Sequence, residues 1–336
     1  MLAFLTPLPL LIPALFQAPA AVDTVLIKEF QVPWEKTRPR DPFVDSKGTV
    51  WFVGQAGHYV GRLDPTTGQF KRFDLENGTG PHNIIVGRGD ALWYSGNRAS
   101  HIGRLDPATG KIQKFMMPDS TVRDPHTLIE DASGTIWFTA QQSNKVGRFN
   151  PSTGEVKLIP VATTRSRPYG IVVDPAGNPW FTLFGSNKLG RIDTKTLTVK
   201  EFVLPAEGAR PRRIAATPDG IIWYVDYTRG YLGRLDPATG AVKEWANPSG
   251  PRSLPYAMTS DDAGRVWFVE TGVQPNRMVG FDPKTEKFFS QTPIPGGGGT
   301  VRHMVFHAPS RSIWYGSDTG QIGRATVPPG GGRVTP

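Results

Sequence analysis

Pro125-His126, then Gly134-Thr135-Ile136-Trp137-Phe138-Thr139, then Asn144-Lys145-Val146-Gly147-Arg148, then Asn150-Pro151-Ser152-Thr153-Gly154 form one phrase, and that phrase recurs along the chain. Its tryptophan returns as Trp51, Trp93, Trp137, Trp180, Trp223, Trp267 and Trp314, at intervals of 42, 44, 43, 43, 44 and 47 residues. A period of about 40–45 residues with several strands per copy is the signature of a β-propeller, one blade per copy. The reading is therefore an all-β fold, a seven-bladed β-propeller with four-stranded antiparallel blades.

Each copy reads as four strands. The first follows a Pro-His or Pro-Tyr pair, as in Pro168-Tyr169-Gly170-Ile171-Val172-Val173. A turn such as Asp174-Pro175-Ala176-Gly177-Asn178 reverses the chain, since Pro presets φ and Gly or Asn accepts positive φ. The second strand carries Trp180-Phe181, and the third is Lys188-Leu189-Gly190-Arg191-Ile192. A loop of the type Asp236-Pro237-Ala238-Thr239-Gly240 leads to an outer strand, as in Val199-Lys200-Glu201-Phe202-Val203-Leu204. Its alternation of apolar and charged residues marks a half-exposed edge. The tryptophans are expected to pack between blades, and the Gly-Arg arginines to bond loop carbonyls or Asp side chains.

Six copies have an outer strand, and the seventh runs into Val327-Pro328-Pro329-Gly330 without one. Ile27-Lys28-Glu29-Phe30-Gln31-Val32-Pro33 matches Val199 to Pro205 closely, so residues 27–33 are predicted to complete blade seven and close the ring. The propeller then spans residues 27–327, with a disordered tail over 328–336. Residues 1–21 read as a signal peptide: Met1 to Val22 carries no charge, an apolar core precedes Ala18-Pro19-Ala20, and no Lys or Arg stands before that core. Export to the periplasm or the exterior is expected, with no membrane span and a monomer.

The 336 residues contain 38 Lys plus Arg against 29 Asp plus Glu, a net charge of +9, which favours an anionic partner. No Lys/Arg run resembles a nucleic-acid arm, so no nucleic-acid partner is expected. The chain has no cysteine, which excludes disulfides, thiolate metal sites and thiol nucleophiles.

The repeat serves as a ruler for the central channel. Eleven residues before each tryptophan stand Arg40, His82, His126, Tyr169, Arg212, Tyr256 and His303. Two positions earlier stand Arg38, Gly80, Asp124, Arg167, Arg210, Leu254 and Val301. Three positions after the tryptophan stand Gly54, Gly96, Ala140, Leu183, Asp226, Glu270 and Ser317. These rings vary where the framework repeats, which marks them for function. His82 and His126 with Asp124 suit a general base or a metal site. Asp226 and Glu270 suit a hard cation or a carboxylate of raised pKa. Arg40, Arg167, Arg210 and Arg212, with Tyr169, Tyr256 and His303, suit a small-molecule or peptide-like ligand carrying an anionic group.

Gly80-Pro81-His82-Asn83-Ile84, the Gly134–Thr139 phrase and Asn144–Arg148 resemble the virginiamycin B lyase (streptogramin lyase) family across all seven copies. The resemblance implies a propeller that opens a cyclic depsipeptide ester by elimination. A base takes the proton α to a carbonyl, and Mg²⁺ polarises that carbonyl. The family places a His at one blade start, Glu-x-His at the next, and a Glu three residues after that blade's tryptophan. Here the closest register is His82, Asp124-Pro125-His126 and Ala140, with Asp for the first Glu and Ala for the last. Two readings follow: a Mg²⁺-assisted carbon–oxygen lyase using His126 and His82, or a non-catalytic propeller binding an anionic ligand or a protein partner at an arginine-rich channel mouth.

Overall fold

The computed structural model describes residues 25–329. The signal-peptide reading of residues 1–21 and the tail from 330 onward lie outside the described residues. Seven four-stranded antiparallel sheets follow one another around an axis, each ordered from the innermost strand outward. Blade three is representative, with strands Pro125–Glu130, Ile136–Ala140, Lys145–Phe149 and Val156–Pro160.

The ring closes as the repeat predicts. Leu26–Gln31 is the outer strand of blade seven, antiparallel to Gln321–Thr326, with Leu26 opposite Thr326 and Gln31 opposite Gln321. Beyond it, the Val32 amide donates to the Gly320 carbonyl at 3.0 Å. The Val25 amide donates to Thr292 Oγ1 of blade six at 2.9 Å. Pro328, placed in the tail by sequence, is held by two arginines: its carbonyl accepts from Arg265 Nη2 at 2.6 Å and from Arg311 Nη2 at 3.2 Å.

All seven tryptophans pack against the following blade. Trp93 lies with Leu128, Ile136 and Phe138 of blade three. Trp137 lies with Ile171 and Phe181 of blade four. Trp314 closes the circle against Phe52 and Tyr59 of blade one. A buried tryptophan removes about 200 Å² from water, or about 5 kcal/mol by area, so the blade interfaces hold the ring together. The indole N–H also has a partner in most blades. Trp51, Trp137, Trp180 and Trp267 donate to the carboxylates of Asp45, Asp131, Asp174 and Asp261 at 2.7–2.9 Å.

The Gly-Arg pair has a packing explanation that corrects the sequence expectation. Trp93, Trp180 and Trp314 each stand opposite the arginine of the pair on the third strand. The guanidiniums of Arg104, Arg191 and Arg324 lie 5.5, 5.6 and 5.8 Å from those indoles. These three arginines stack on the ring as cations over a π face, whereas Arg148 reaches Glu155 at 3.3 Å. The glycine makes room for the next aromatic: a Cβ at Gly147 would overlap the Phe138 ring, and one at Gly190 the Phe181 ring. Blade six departs from the rule. In the same unbroken register its third strand carries Val279 opposite Phe268 and Gly280 opposite Trp267.

The inner strands carry the feature that builds the channel. In blades three, four, five and six the pairing of first and second strands skips two residues: His126-Thr127, Tyr169-Gly170, Arg212-Arg213 and Tyr256-Ala257. Such bulges re-aim side chains that strict alternation would send to opposite faces.

Candidate functional site

The bulge defines the ring positions, and it corrects one of them. In blade seven the skipped residues are Arg302 and His303, because Val301 pairs with Ser317 and Met304 with Tyr315. Counting back from Trp314 misses this, since the hairpin that turns through Ala308–Ser310 is one residue longer. The first ring is therefore Arg40, His82, His126, Tyr169, Arg212, Tyr256 and Arg302. His303 belongs to a second ring with Asp41, Asn83, Thr127, Gly170, Arg213 and Ala257.

The second ring, apart from His303, escaped the sequence reading, and Arg213 organises it. Arg213 Nη1 donates to Thr127 Oγ1 at 3.2 Å and Nε to the Arg302 carbonyl at 2.9 Å. Its Nη2 lies 3.6 Å from Asp41 Oδ2. Asp41 also faces Arg40 Nε at 3.6 Å and accepts from Asn83 Nδ2 at 3.0 Å. Gly170 leaves the space for this side chain: a Cβ there would stand 3.1 Å from Arg213 Cα and 3.4 Å from its Cδ. Burial by itself would raise the Asp41 pKa, but His303, Arg40, Arg213 and the Asn83 hydrogen bond lower it below the usual value.

Above this layer the first ring brings together residues that the sequence nominated separately. The His82 and His126 rings lie 3.7 Å apart, and the His126 and Tyr169 rings 4.3 Å apart. The Tyr169 and Tyr256 hydroxyls share a short hydrogen bond. Arg212 sits among four aromatic rings, 3.7 Å from Tyr256, 4.2 Å from Tyr227, 4.7 Å from Phe184 and 5.3 Å from Tyr169. Phe184 and Tyr227 gave no signal in the ring count, since they stand one place beyond the second-strand ring position.

Charge sets the protonation states. Burial, then the charges of Arg40, His126 and Arg213, hold His82 well below the ordinary value of 6.5. Burial, then Arg213, Arg40 and Arg212, does the same for His126. Burial lowers His303 to about 4 despite the pull of Asp41. All three imidazoles are neutral at pH 7. For Tyr169 burial acts upward, but Arg212, Arg213, Arg40 and the hydrogen bond from Tyr256 outweigh it and bring the phenol down to about 8. Tyr256, beside the same hydroxyl, moves upward through burial and its neighbour's charge.

Three of the nominated carboxylates are committed elsewhere. Asp124 accepts from the Gln142 and Ser143 amides and from Ser143 Oγ at 2.6 Å. Asp226 accepts from the Arg210 amide at 3.0 Å and from Arg229 Nη1 at 3.1 Å. Glu270 accepts from the Ser249 amide at 2.9 Å and from its hydroxyl. Burial raises both Asp226 and Glu270, yet each is bound within its own loop. Among the described residues no three His, Asp or Glu side chains converge on a common point. A Mg²⁺ ion needs hard oxygen ligands, and here Asp41 is flanked by the guanidiniums of Arg40 and Arg213, and Asp318 by those of Arg38 and Arg302. The residues present do not fit that ion.

The arginines fare unequally. Arg210 Nη1 is tied to the carbonyls of Glu207 and Ala209 at 3.0 and 2.6 Å. Arg167 is exposed and lies 5.8 Å over Phe184. Arg38 Nε reaches Asp318 at 3.5 Å, and Arg302 pairs with the same carboxylate. The buried ones are different. Nη2 of Arg40 and Nε of Arg212 lack a hydrogen-bond acceptor, Nε of Arg40 and Nη2 of Arg213 have only Asp41 at 3.6 Å, and His82 Nδ1 has no hydrogen-bond partner. Arg40 and Arg213 are only 5% and 2% exposed, so these donors are cut off from water. Beyond the second ring, the far ends of the inner strands frame a cavity of about 270 Å³ lined by Phe43, Ile129, Ile171, Ile214 and Met258.

A seven-bladed propeller with a channel of histidines, tyrosines and arginines is the class that this geometry defines. The chain belongs to the virginiamycin B lyase family, whose sequence model matches residues 25–325. Among solved structures it is similar to virginiamycin B lyase from Staphylococcus aureus, with 23% identity and a TM-score of 0.82 over 90% of this chain and 100% of that one. A catalytically inactive variant of that enzyme, solved with quinupristin, aligns with 24% identity, a TM-score of 0.82 and the same coverage. The extracellular domain of a hybrid two-component-system protein from B. thetaiotaomicron aligns with 17% identity and a TM-score of 0.70, over 92% of this chain and 44% of that one. No curated protein matches the chain. No helix among the described residues is long and apolar enough to cross a membrane.

Proposed function

We propose that this protein captures a carboxylate-bearing small-molecule or peptide-like ligand in its central channel, through Arg40, Arg212 and Arg213. The observation that carries this reading is the unfilled hydrogen-bonding capacity of the buried guanidiniums: Arg40 Nη2 and Arg212 Nε meet no acceptor, and Arg40 Nε and Arg213 Nη2 have only Asp41, at 3.6 Å. A buried donor left unpaired costs about 1–3 kcal/mol, and more when charged. An anionic ligand that supplies acceptors recovers that cost on binding. Titration calorimetry with citrate as the probe tests it. Arg40→Gln and Arg212→Gln are each expected to weaken binding about tenfold or more in protein that still unfolds cooperatively; full-strength binding by both variants sinks the proposal. The uncharged apolar start of the chain supports export, and N-terminal sequencing of protein recovered outside the cytoplasm would test for cleavage near Ala20.

A second reading is elimination of a lactone or depsipeptide ester at the same site. The contact of two neutral imidazoles, with His126 beside Tyr169, favours it. No step is assigned to Mg²⁺, because the carboxylates that would hold it are bound in loops. Incubation with quinupristin, with and without added Mg²⁺, tests this; an intact lactone under both conditions counts against it.

A further inference from the structure

The hydrogen bonds around His126 decide which of its nitrogens can take a proton. Thr127 Oγ1 accepts from Arg213 Nη1, and a guanidinium only donates. The Thr127 hydroxyl hydrogen then has one acceptor in reach, His126 Nδ1 at 2.8 Å. This fixes His126 as the neutral tautomer protonated on Nε2, so its remaining nitrogen is a donor. The base role then passes to a neighbour of His126 in the ring, His82 or Tyr169.

Tyr169 occupies the neighbouring ring position, in contact with His126. Tyr256 shares a hydrogen bond with its hydroxyl. Arg212 and Arg213 lie 5.3 and 5.2 Å over its ring. The groups facing it from the surrounding blades are therefore Arg40 of blade one, His126 of blade three, Arg212 and Arg213 of blade five, and Tyr256 of blade six. One hydroxyl and three cations act on this phenol, and each of them favours its anion.

We propose that Tyr169 is the Brønsted base of a metal-independent β-elimination on a substrate whose acidic C–H lies α to a carboxylate held by Arg40 and Arg213. The inference rests on the anion-binding reading. Arginine pairing neutralises the substrate carboxylate and lowers the cost of carbanion character at Cα. The Tyr169 phenolate takes the Cα proton. The C–H electron pair becomes the Cα=Cβ double bond, the Cβ–O bond breaks, and its electron pair leaves with the oxygen. The leaving carboxylate is too weak a base to take the proton back, so Tyr169 releases it to solvent, which regenerates the phenolate without any cofactor.

Without substrate the same arginines already lower the phenol's pKa from the ordinary 10 to about 8, so the phenolate forms as pH rises through that value. Two measurements on the full chain test the proposal. In ultraviolet titration, wild-type protein is expected to show one tyrosinate forming near pH 8 that Tyr169→Phe abolishes and Tyr256→Phe shifts upward. With 3-acetoxybutanoate as the probe and a chelator present, wild type is expected to release crotonate and acetate at a rate rising through that same pH. Tyr169→Phe should be slower by about a hundredfold or more. Calorimetric binding of the probe reads the anion site independently. A protein that binds the probe but shows no early tyrosinate, releases no crotonate, or releases it equally fast as Tyr169→Phe overturns the base assignment and leaves anion binding standing. Failure to bind the probe overturns both.

Discussion

Arg213 of blade five meets Asp41 of blade one across the channel, Nη2 to Oδ2 at 3.6 Å, and both side chains are buried. Blades that share no strand edge are thereby coupled through one ion pair. Removing one partner of such a pair leaves a buried charge uncompensated, at a cost of about 3–5 kcal/mol. Arg213→Ala is therefore expected to lower the chemical-denaturation midpoint strongly. Arg213→Met combined with Asp41→Leu should recover most of the loss, because apolar side chains of similar volume replace a buried pair at little cost. A double variant as unstable as Arg213→Ala would show that the pair is not the source of the effect.

Stability should fall on the acid side of neutrality, because the channel histidines are held neutral. Their folded pKa values lie below the unfolded value of 6.5. Above that value both states carry neutral imidazoles and the full stability is present. As pH falls through it, the unfolded chain binds protons that the folded channel refuses, so stability is lost. Urea midpoints compared at about pH 7.5 and about pH 5.5 should differ, and the double variant His82→Asn, His126→Gln should flatten that difference. An unchanged slope in the variant would mean that carboxylates elsewhere account for the pH dependence.

The glycine of the Gly-Arg pair is expected to be intolerant of even one methyl group. At Gly147 the added Cβ overlaps the buried Phe138 ring, and overpacking of this kind costs about 1–3 kcal/mol. In blade six the facing residue is already Val279, so Val279→Gly should not stabilise that blade and Gly147→Ala should not be neutral. Thermal melting of the two variants checks both statements.

The strand that closes the ring can be weakened at a single side chain. Phe30 is 7% exposed and packs among Val50, Phe52 and Trp314. Phe30→Ala should cost about 3 kcal/mol or more. Deleting residues 25–33 should lower the melting temperature further and expose the edge of Gln321–Thr326, promoting association at high protein concentration. An unaltered melting curve after deletion would sink the closure argument.

The fold was legible because the tryptophan performs the same packing task in every blade, with the glycine beside it in six and the Asp-Pro-x-Thr-Gly loop returning in blades one, two and five. The site was legible only in part. His82, His126, Tyr169, Arg212 and Tyr256 were found because the bulge keeps them at a constant distance from the tryptophan. His303 was assigned to the wrong ring because one residue is inserted between that bulge and Trp314, an insertion already visible in the final interval of 47. Arg213, Asp41 and Asn83 were missed because strict alternation sends the residue after a channel residue to the opposite face, and the bulge cancels that alternation. Their signal was a polar residue inside an otherwise apolar inner strand. The loop commitments of Asp124, Asp226 and Glu270 depend on the conformations of the Gln142, Ser249 and Arg229 segments, which carry no repeat to read.

Pairing Leu26 with Thr326 has a consequence for the order of assembly. The earliest described strand to be synthesised acquires its partner only when the last strand has been made. Until then blade seven lacks its outer strand, and the nascent chain carries an apolar segment with nowhere to dock. Contacts of such long separation form late and slowly. The molecule is thus a circle completed by its two ends meeting, and a partly made chain cannot lock itself shut before its final blade exists.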